Sequence, residues 1–312
     1  MAFVGIDIGG TKCSVVKGDK DGNILDKIRF DTTSFEDTMS NIISAVEAMG
    51  DFKAVGISCG GPLSSERGVI MSPPNLPGWD DVHIVDMLKE RFGVPVFLQN
   101  DADACALAEW KFGAGKGSHN MIFLTFGTGM GAGLILNGAL YSGSSNCAGE
   151  IGHVRMADHG PVGYGKEGSF EGFCSGSGIA QLGTTMARAM LQRGETPSFC
   201  ASVAELDSIT AKTIAECANR GETDAIAVFE QCGTMLGRGL SILIDVLNPQ
   251  KIVIGSVFAR CEKLLRDAME RVIDVECISH AAACCEVVPA GLGESIGDIA
   301  ALSVAVDGFG GV

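Results

Sequence analysis

Short apolar runs separated by glycine turns open the chain, and that spacing is a strand pattern. Phe3 to Ile8 is apolar apart from Gly5 and Asp7, Gly9-Gly10-Thr11 turns, and Cys13 to Val16 resumes the run. A second turn at Asp21-Gly22-Asn23 precedes Ile24 to Phe30, so the opening reads as a hairpin meander. From Thr38 to Met49 the period becomes helical, with Ile42, Ile43 and Val46 on one side. Ala54 to Ser58 is a buried strand, Val82 to Phe92 a helix, Val94 to Leu98 a strand and Ala102 to Phe112 a helix. The glycine-rich stretch from Gly113 to Ser118 is the best domain boundary.

A fresh strand, Met121 to Phe126, then leads into Gly127-Thr128-Gly129-Met130-Gly131 and a second strand, Leu134 to Leu136. This order repeats the opening of the chain and suggests an internal duplication. Helices are expected from Gly176 to Leu191, Ile209 to Cys217, Ala225 to Leu247 and Leu264 to Val272, with strands at Lys251 to Ile254 and Cys285 to Val288. Ser295 to Val306 is a final helix of small residues. The sum is α/β with crossovers in both halves. Two lobes follow, 1–117 and 118–294, with 295–312 expected to return to the first and a cleft where the glycine turns face each other.

Composition changes this picture in three places. The 312 residues include 43 glycines without a collagen period, gathered in turns suited to close backbone approach. The net charge of −15 comes with no basic cluster, which argues against a nucleic-acid partner but not against phosphate held by backbone amides and a metal ion. The 12 cysteines include no C-x-x-C pair and read as buried free thiols of a reducing compartment. The first residues lack a signal-peptide pattern and no run is apolar enough to cross a bilayer, so the expectation is a cytoplasmic protein without a membrane partner.

Chemistry is expected at a few polar residues. Asp7 ends a buried strand just before Gly9-Gly10-Thr11-Lys12, where amides and the Thr11 hydroxyl suit phosphoryl oxygens and the carboxylate suits magnesium, held through water. Gly127-Thr128-Gly129 is a second phosphate cradle; it lacks a nearby lysine, and its spacing is neither a Walker loop nor a dinucleotide fingerprint. Asp101, between a strand and a helix, reads either as a base for an attacking hydroxyl or as the N-cap of a helix starting at Ala102. Glu150, His153 and Glu171 suit hydroxyl recognition. His159 reads as exposed loop.

Asp7-Ile8-Gly9-Gly10-Thr11-Lys12, Asn100-Asp101-Ala102, Gly127 to Gly133 and Ala148-Gly149-Glu150-Ile151-Gly152-His153 together resemble the ROK family of bacterial sugar kinases, in the actin-like ATPase superfamily. Pro74 to Trp79, Asn248-Pro249 and Ile252 to Gly255 fit as well. The resemblance covers essentially the whole chain. It implies two actin-like (ribonuclease H-like) lobes closing on ATP, Mg2+ and a hexose, and a homodimer. It implies Asp101 as the base for the sugar 6-hydroxyl, and Asn100, Glu150, His153, Glu171 and the Gly60-Gly61 backbone around the sugar. Gly9, Gly10, Thr11, Lys12, Gly127, Thr128, Gly129 and Gly255 then lie by the nucleotide.

One departure stands out. Where many members carry three zinc-binding cysteines, this chain has Val162, Tyr164 and Ser169. Tetrahedral zinc cannot be built from His153 alone, so no structural zinc is expected unless Cys147, His159 and Cys174 form an unusual substitute. Glucose is the simplest substrate; N-acetylmannosamine, N-acetylglucosamine, fructose, allose and β-glucosides are alternatives. A sugar-responsive repressor and a non-catalytic sugar-binding protein are the rivals from other classes.

Overall fold

A computed structural model describes residues 1–311. Val312, the end of the segment expected to return, lies outside the described residues. Contacts divide the chain into two compact units. The first contains Met1–Phe123, Gly133–Ala148 and the chain from Gly291 onward; the second contains Leu124–Ala132 and Gly149–Ala290. The glycine-rich stretch predicts a boundary at 117/118, with the whole of 118–294 in one lobe. The observed division instead leaves 133–148 with the first unit, where Gly133 packs against Ala102 and Ala106 and Ser142 bonds Asp103.

The opening meander is β1 (Ala2–Ile8), β2 (Lys12–Asp19) and β3 (Ile24–Asp31), all antiparallel. Then come α1 (Phe35–Ala48), β4 (Val55–Cys59), the short pair β5 (Leu63–Ser64) and β6 (Val69–Ile70), α2 (Ile84–Phe92), β7 (Val96–Asn100) and α3 (Asp101–Phe112). β4 and β7 join parallel, giving the order β3-β2-β1-β4-β7. α1 starts three residues before the expected Thr38, because Ser34 accepts the Asp37 amide and caps it. Val82 is not helical; it bridges to Ile70.

β8 (Met121–Leu124), β9 (Ala132–Leu136) and β10 (Ala139–Leu140) follow, then the hairpin β11 (Val162–Gly163) and β12 (Lys166–Glu167). Next are α4 (Phe170–Phe173), α5 (Gly176–Gln192), α6 (Ala211–Asn219) and α7 (Thr223–Leu247). The chain ends with β13 (Lys251–Ile254), α8 (Val257–Glu276), α9 (Ser279–Cys284), β14 (Glu286–Pro289) and α10 (Ile296–Gly310). The second sheet is ordered β10-β9-β8-β13-β14. Numbered within each sheet, both orders read 3-2-1-4-5, and both combine an antiparallel hairpin with a parallel pair. The duplication read from two glycine turns is therefore present in the strand order. The architecture is α/β with mixed sheets.

In the first unit, α1 and α2 cover one face of the sheet, burying Ile6, Ile8, Val15, Ile42, Val46 and Leu88. The other face takes α10, whose Leu302 and Ala305 pack on Phe3, Val16 and Ala54. This contact is backbone to backbone: a Cβ on Gly56 would lie 2.2 Å from the Ala305 nitrogen. Only glycine permits that approach, and it brings the first turn of α10 up to the end of β1. Among the described residues, no helix is long and apolar enough to cross a membrane.

Candidate active site

In the first unit, the β1–β2 turn is closed by the Gly9 amide donating to the Lys12 carbonyl at 3.1 Å. Thr32 fixes it from just past the end of β3, its hydroxyl donating to Gly9 O at 2.6 Å. The Gly9 amide, expected to face phosphate, is thus used by the turn, while Gly10, Thr11 and Lys12 form its exposed tip. Asp7 lies below the turn and lines a cavity of about 110 Å³ with Lys12, Lys27, Arg29 and Asp298.

Burial raises the Asp7 carboxyl to about 6; the Asp298 and Asp101 carboxylates add to this, and Arg29 and Lys27 oppose it. Asp298 is itself held by the Ser14 hydroxyl at 2.8 Å and by an ion pair with Lys27. Hard oxygen donors that repel one another in a partly desolvated recess are suited to Mg2+.

The sign of the Asp7 shift gives an expected result. Its folded-state value lies above the ordinary 3.8, so the folded chain pays for an ionised Asp7 fully above about pH 6, and the penalty vanishes as pH falls towards 3.8. In the absence of metal, Asp7→Asn should raise Tm at pH 7, by at most about 3 kcal/mol of stability, with the gain gone near pH 4. An unchanged or lowered Tm at pH 7 would show that Asp7 is not strained.

Asp101 is the first residue of α3, not its N-cap. The cap is Asn100, whose Oδ1 accepts the Ala102 amide at 3.0 Å. Asp101 Oδ1 also meets that amide, at 2.8 Å, and a Cβ on Gly60 would stand 4.0 Å from its Oδ2. The side chain reaches solvent, yet enough protein surrounds it that burial raises its carboxyl, against the Ala102 and Asp101 amides. Asn100 Nδ2 lies 3.4 Å from where a Gly61 Cβ would be. Burial likewise pushes up the thiols of Cys13, Cys59 and Cys105, which keeps them protonated.

In the second unit, the other glycine turn is built alike: the Gly127 amide donates to Gly129 O at 2.9 Å, and Thr128 is exposed at the tip. Phe126, expected as strand, instead has φ 32° and starts this turn. Glu171, on α4, accepts the Met130 amide at 2.9 Å and is thereby fixed to the turn. The turn of helix carrying Glu150 and His153 packs there too, because a Cβ on Gly152 would sit 2.1 Å from Met130 O. These contacts bring together Gly127 to Gly129, Glu150, His153 and Glu171 within one unit. Gly255 is tied to β8 by its amide, 2.9 Å from Leu124 O.

The loop without zinc cysteines is a hairpin turning at Tyr164-Gly165, both with positive φ. Hydrogen bonds hold it. Ser169, fully buried, caps α4 through the Gly172 amide at 3.1 Å, and Gln181 makes two 2.9 Å bonds to the Val162 backbone. Lys166 Nζ donates to His153 O at 2.7 Å, and exposed His159 lies 3.4 Å from Glu167. Among the described residues, no group of three or more His, Cys, Asp or Glu side chains could hold a metal ion. Cys174 is buried, its Sγ 3.6 Å from Cys232 O, and joins no such group with Cys147 and His159. Zinc does not fit these residues. Elemental analysis of protein purified without added metal should find no stoichiometric zinc, and EDTA should leave Tm unchanged. One tightly held zinc per chain would contradict this.

Residues 3–307 match the ROK family. The chain belongs to that family. It is 31% identical to the glucokinase of Thermotoga maritima over 323 aligned positions, which span all of this chain and 99% of that protein. The crystal structure of a ROK family glucokinase from Streptomyces griseus in complex with glucose and AMPPNP superimposes with a TM-score of 0.75, at 28% identity, over 98% of this chain and 100% of that one. The xylose repressor of Bacillus subtilis is 25% identical over 98% of this chain and 77% of its own. Family membership therefore does not by itself select catalysis, and the individual side chains must.

Proposed function

We propose that this protein is an ATP-dependent sugar kinase that transfers the γ-phosphoryl group to the 6-hydroxyl of a hexose, with glucose as the first candidate. The observation that carries the reading is Asp101: a solvent-reaching carboxylate at the start of a helix already capped by Asn100. The cap frees Asp101 from a structural task. Its oxygen can accept the proton of a sugar hydroxyl as the new P–O bond forms, and aim that hydroxyl in line. Asn100 and the Gly60-Gly61 backbone contribute hydrogen bonds to the sugar, as do Glu150, His153 and Glu171.

Gly10, Thr11 and Lys12 face the transferred phosphate, with Gly9 shaping their turn; Gly127, Thr128, Gly129 and Gly255 serve the nucleotide. Mg2+, when bound, neutralises phosphate charge, and Asp7 would hold it through water. The reading includes a homodimer in the cytoplasm. N-acetylmannosamine, N-acetylglucosamine, fructose, allose and β-glucosides are acceptor alternatives, since one altered hydroxyl changes few contacts.

An ADP-release assay over a panel of these sugars, with ATP and Mg2+, tests the reading. The expected result is sugar-dependent turnover fastest with glucose. A different best sugar changes the substrate alone, whereas no turnover with any sugar from folded protein removes the kinase reading.

A further inference from the structure

The second glycine turn has no lysine beside it in sequence, although a polyphosphate chain brought there needs a counter-charge, most of all on a chain of net charge −15. The fold brings a cation from more than a hundred residues further on. Ser256 follows β13 and precedes α8, and its Oγ lies 3.7 Å from where a Cβ of Gly127 would be. Arg260, one helical turn on, folds back along α8 and donates from Nη2 to Ser256 Oγ at 3.2 Å. The Val257 amide donates to Phe126 O at 3.0 Å, which fixes the start of α8 to the residue before Gly127.

Ser256 is costly where it stands. It has φ 51° and ψ −109°, a backbone state that a glycine would hold without strain. Serine is also a strong N-cap residue, yet this hydroxyl makes no capping bond. Its hydrogen bond goes to the guanidinium instead. The strained serine thus holds an exposed arginine beside the glycine turn.

We propose that Arg260 binds the phosphate chain of the phosphoryl donor at the Gly127 turn, with Ser256 as its positioning residue. This rests on the kinase reading above. A planar guanidinium can pair two phosphate oxygens at once, while the exposed turn meets the chain from the other side. Arg260 thus supplies at the second turn the charge that Lys12 supplies at the first.

The test measures binding to the folded protein, apart from turnover, with Mg-ATP, inorganic tripolyphosphate and adenosine as probes. Arg260→Met should weaken ATP and tripolyphosphate about 10-fold or more, by similar factors, and leave adenosine and the sugar KM within about 2-fold. Ser256→Gly should raise Tm by relieving the backbone, yet weaken both phosphate probes about 3-fold; Arg260→Lys should fall between wild type and Met. Unchanged ATP and tripolyphosphate affinity in Arg260→Met overturns the proposal while leaving the kinase reading intact. Equal loss for adenosine also overturns it, by assigning Arg260 to the base or to the fold. A wild-type chain that binds no ATP, with or without sugar, removes both.

Discussion

Asp101→Asn should lower kcat by about 100-fold or more while sugar Kd stays close to wild type and Tm at pH 7 does not fall. The size is the usual contribution of a positioned general base. A hydroxyl is a poor nucleophile while it keeps its proton, and asparagine can align that hydroxyl but cannot take the proton. Loss confined to kcat marks an interaction made mainly in the transition state. The structure sharpens the expectation for stability: Asn100 caps α3, so the helix keeps its cap in the variant. Because burial raises the Asp101 carboxyl, the acid limb of kcat/KM in the wild type should lie above the ordinary aspartate range, with activity falling as the pH drops through it. In Asp101→Asn that limb should disappear. Near-normal kcat in the variant would remove Asp101 from the chemistry.

The largest loss of stability is expected from Glu109→Ala. Glu109 is fully buried on α3, and its carboxylate accepts three backbone amides: Ala114 at 2.8 Å, Gly291 at 3.1 Å and Leu292 at 2.9 Å. The first lies in the segment leaving α3 and the others in the segment that re-enters the first unit. Truncation removes the acceptor of three backbone amides at once and empties a fully buried side-chain site. The cost should be about 3–5 kcal/mol, or a fall in Tm of about 10 °C. Glu109→Gln keeps one acceptor oxygen and should fall between the two. A Tm within about 2 °C of wild type for Glu109→Ala would mean that water or relaxed backbone satisfies those amides.

What could be read from the sequence was whatever repeats locally. Strands announced themselves by apolar runs ended by glycine, and β13 fell on the expected residues, Lys251–Ile254. α8 was expected only over its middle: its first turns hold Ala259, Arg260 and Glu262 in place of an apolar stripe, and Cys261 breaks the helical geometry with φ −119°. The β11–β12 hairpin has two-residue strands, too short for any alternation to show. At the site, Asp7, Asp101 and both glycine turns were visible because each adjoins a strand end. Glu109 was missed, although a carboxylate set in the apolar stretch from Ala104 to Trp110, just before Gly113, was a usable sign. Ser256 and Arg260 gave no sign, since only the three-dimensional path brings them to Gly127.

The sheet of the first unit receives α10 as its cover, and α10 is synthesised long after the strands it covers. The ribosome releases the strands of that sheet early, then must translate the roughly 150 residues from 148 to 296 before the covering helix exists. At about 5–20 residues per second this takes roughly 7–30 s. Through that interval Phe3, Val16 and Ala54 have no Leu302 or Ala305 to meet, and a bare apolar sheet face is what chaperones bind. The second unit, Leu124–Ala132 with Gly149–Ala290, is complete before α10 is made and can condense while the first waits. Chains truncated after Ala290 and released from the ribosome should therefore display a protease-resistant second unit alongside a first unit still open to digestion.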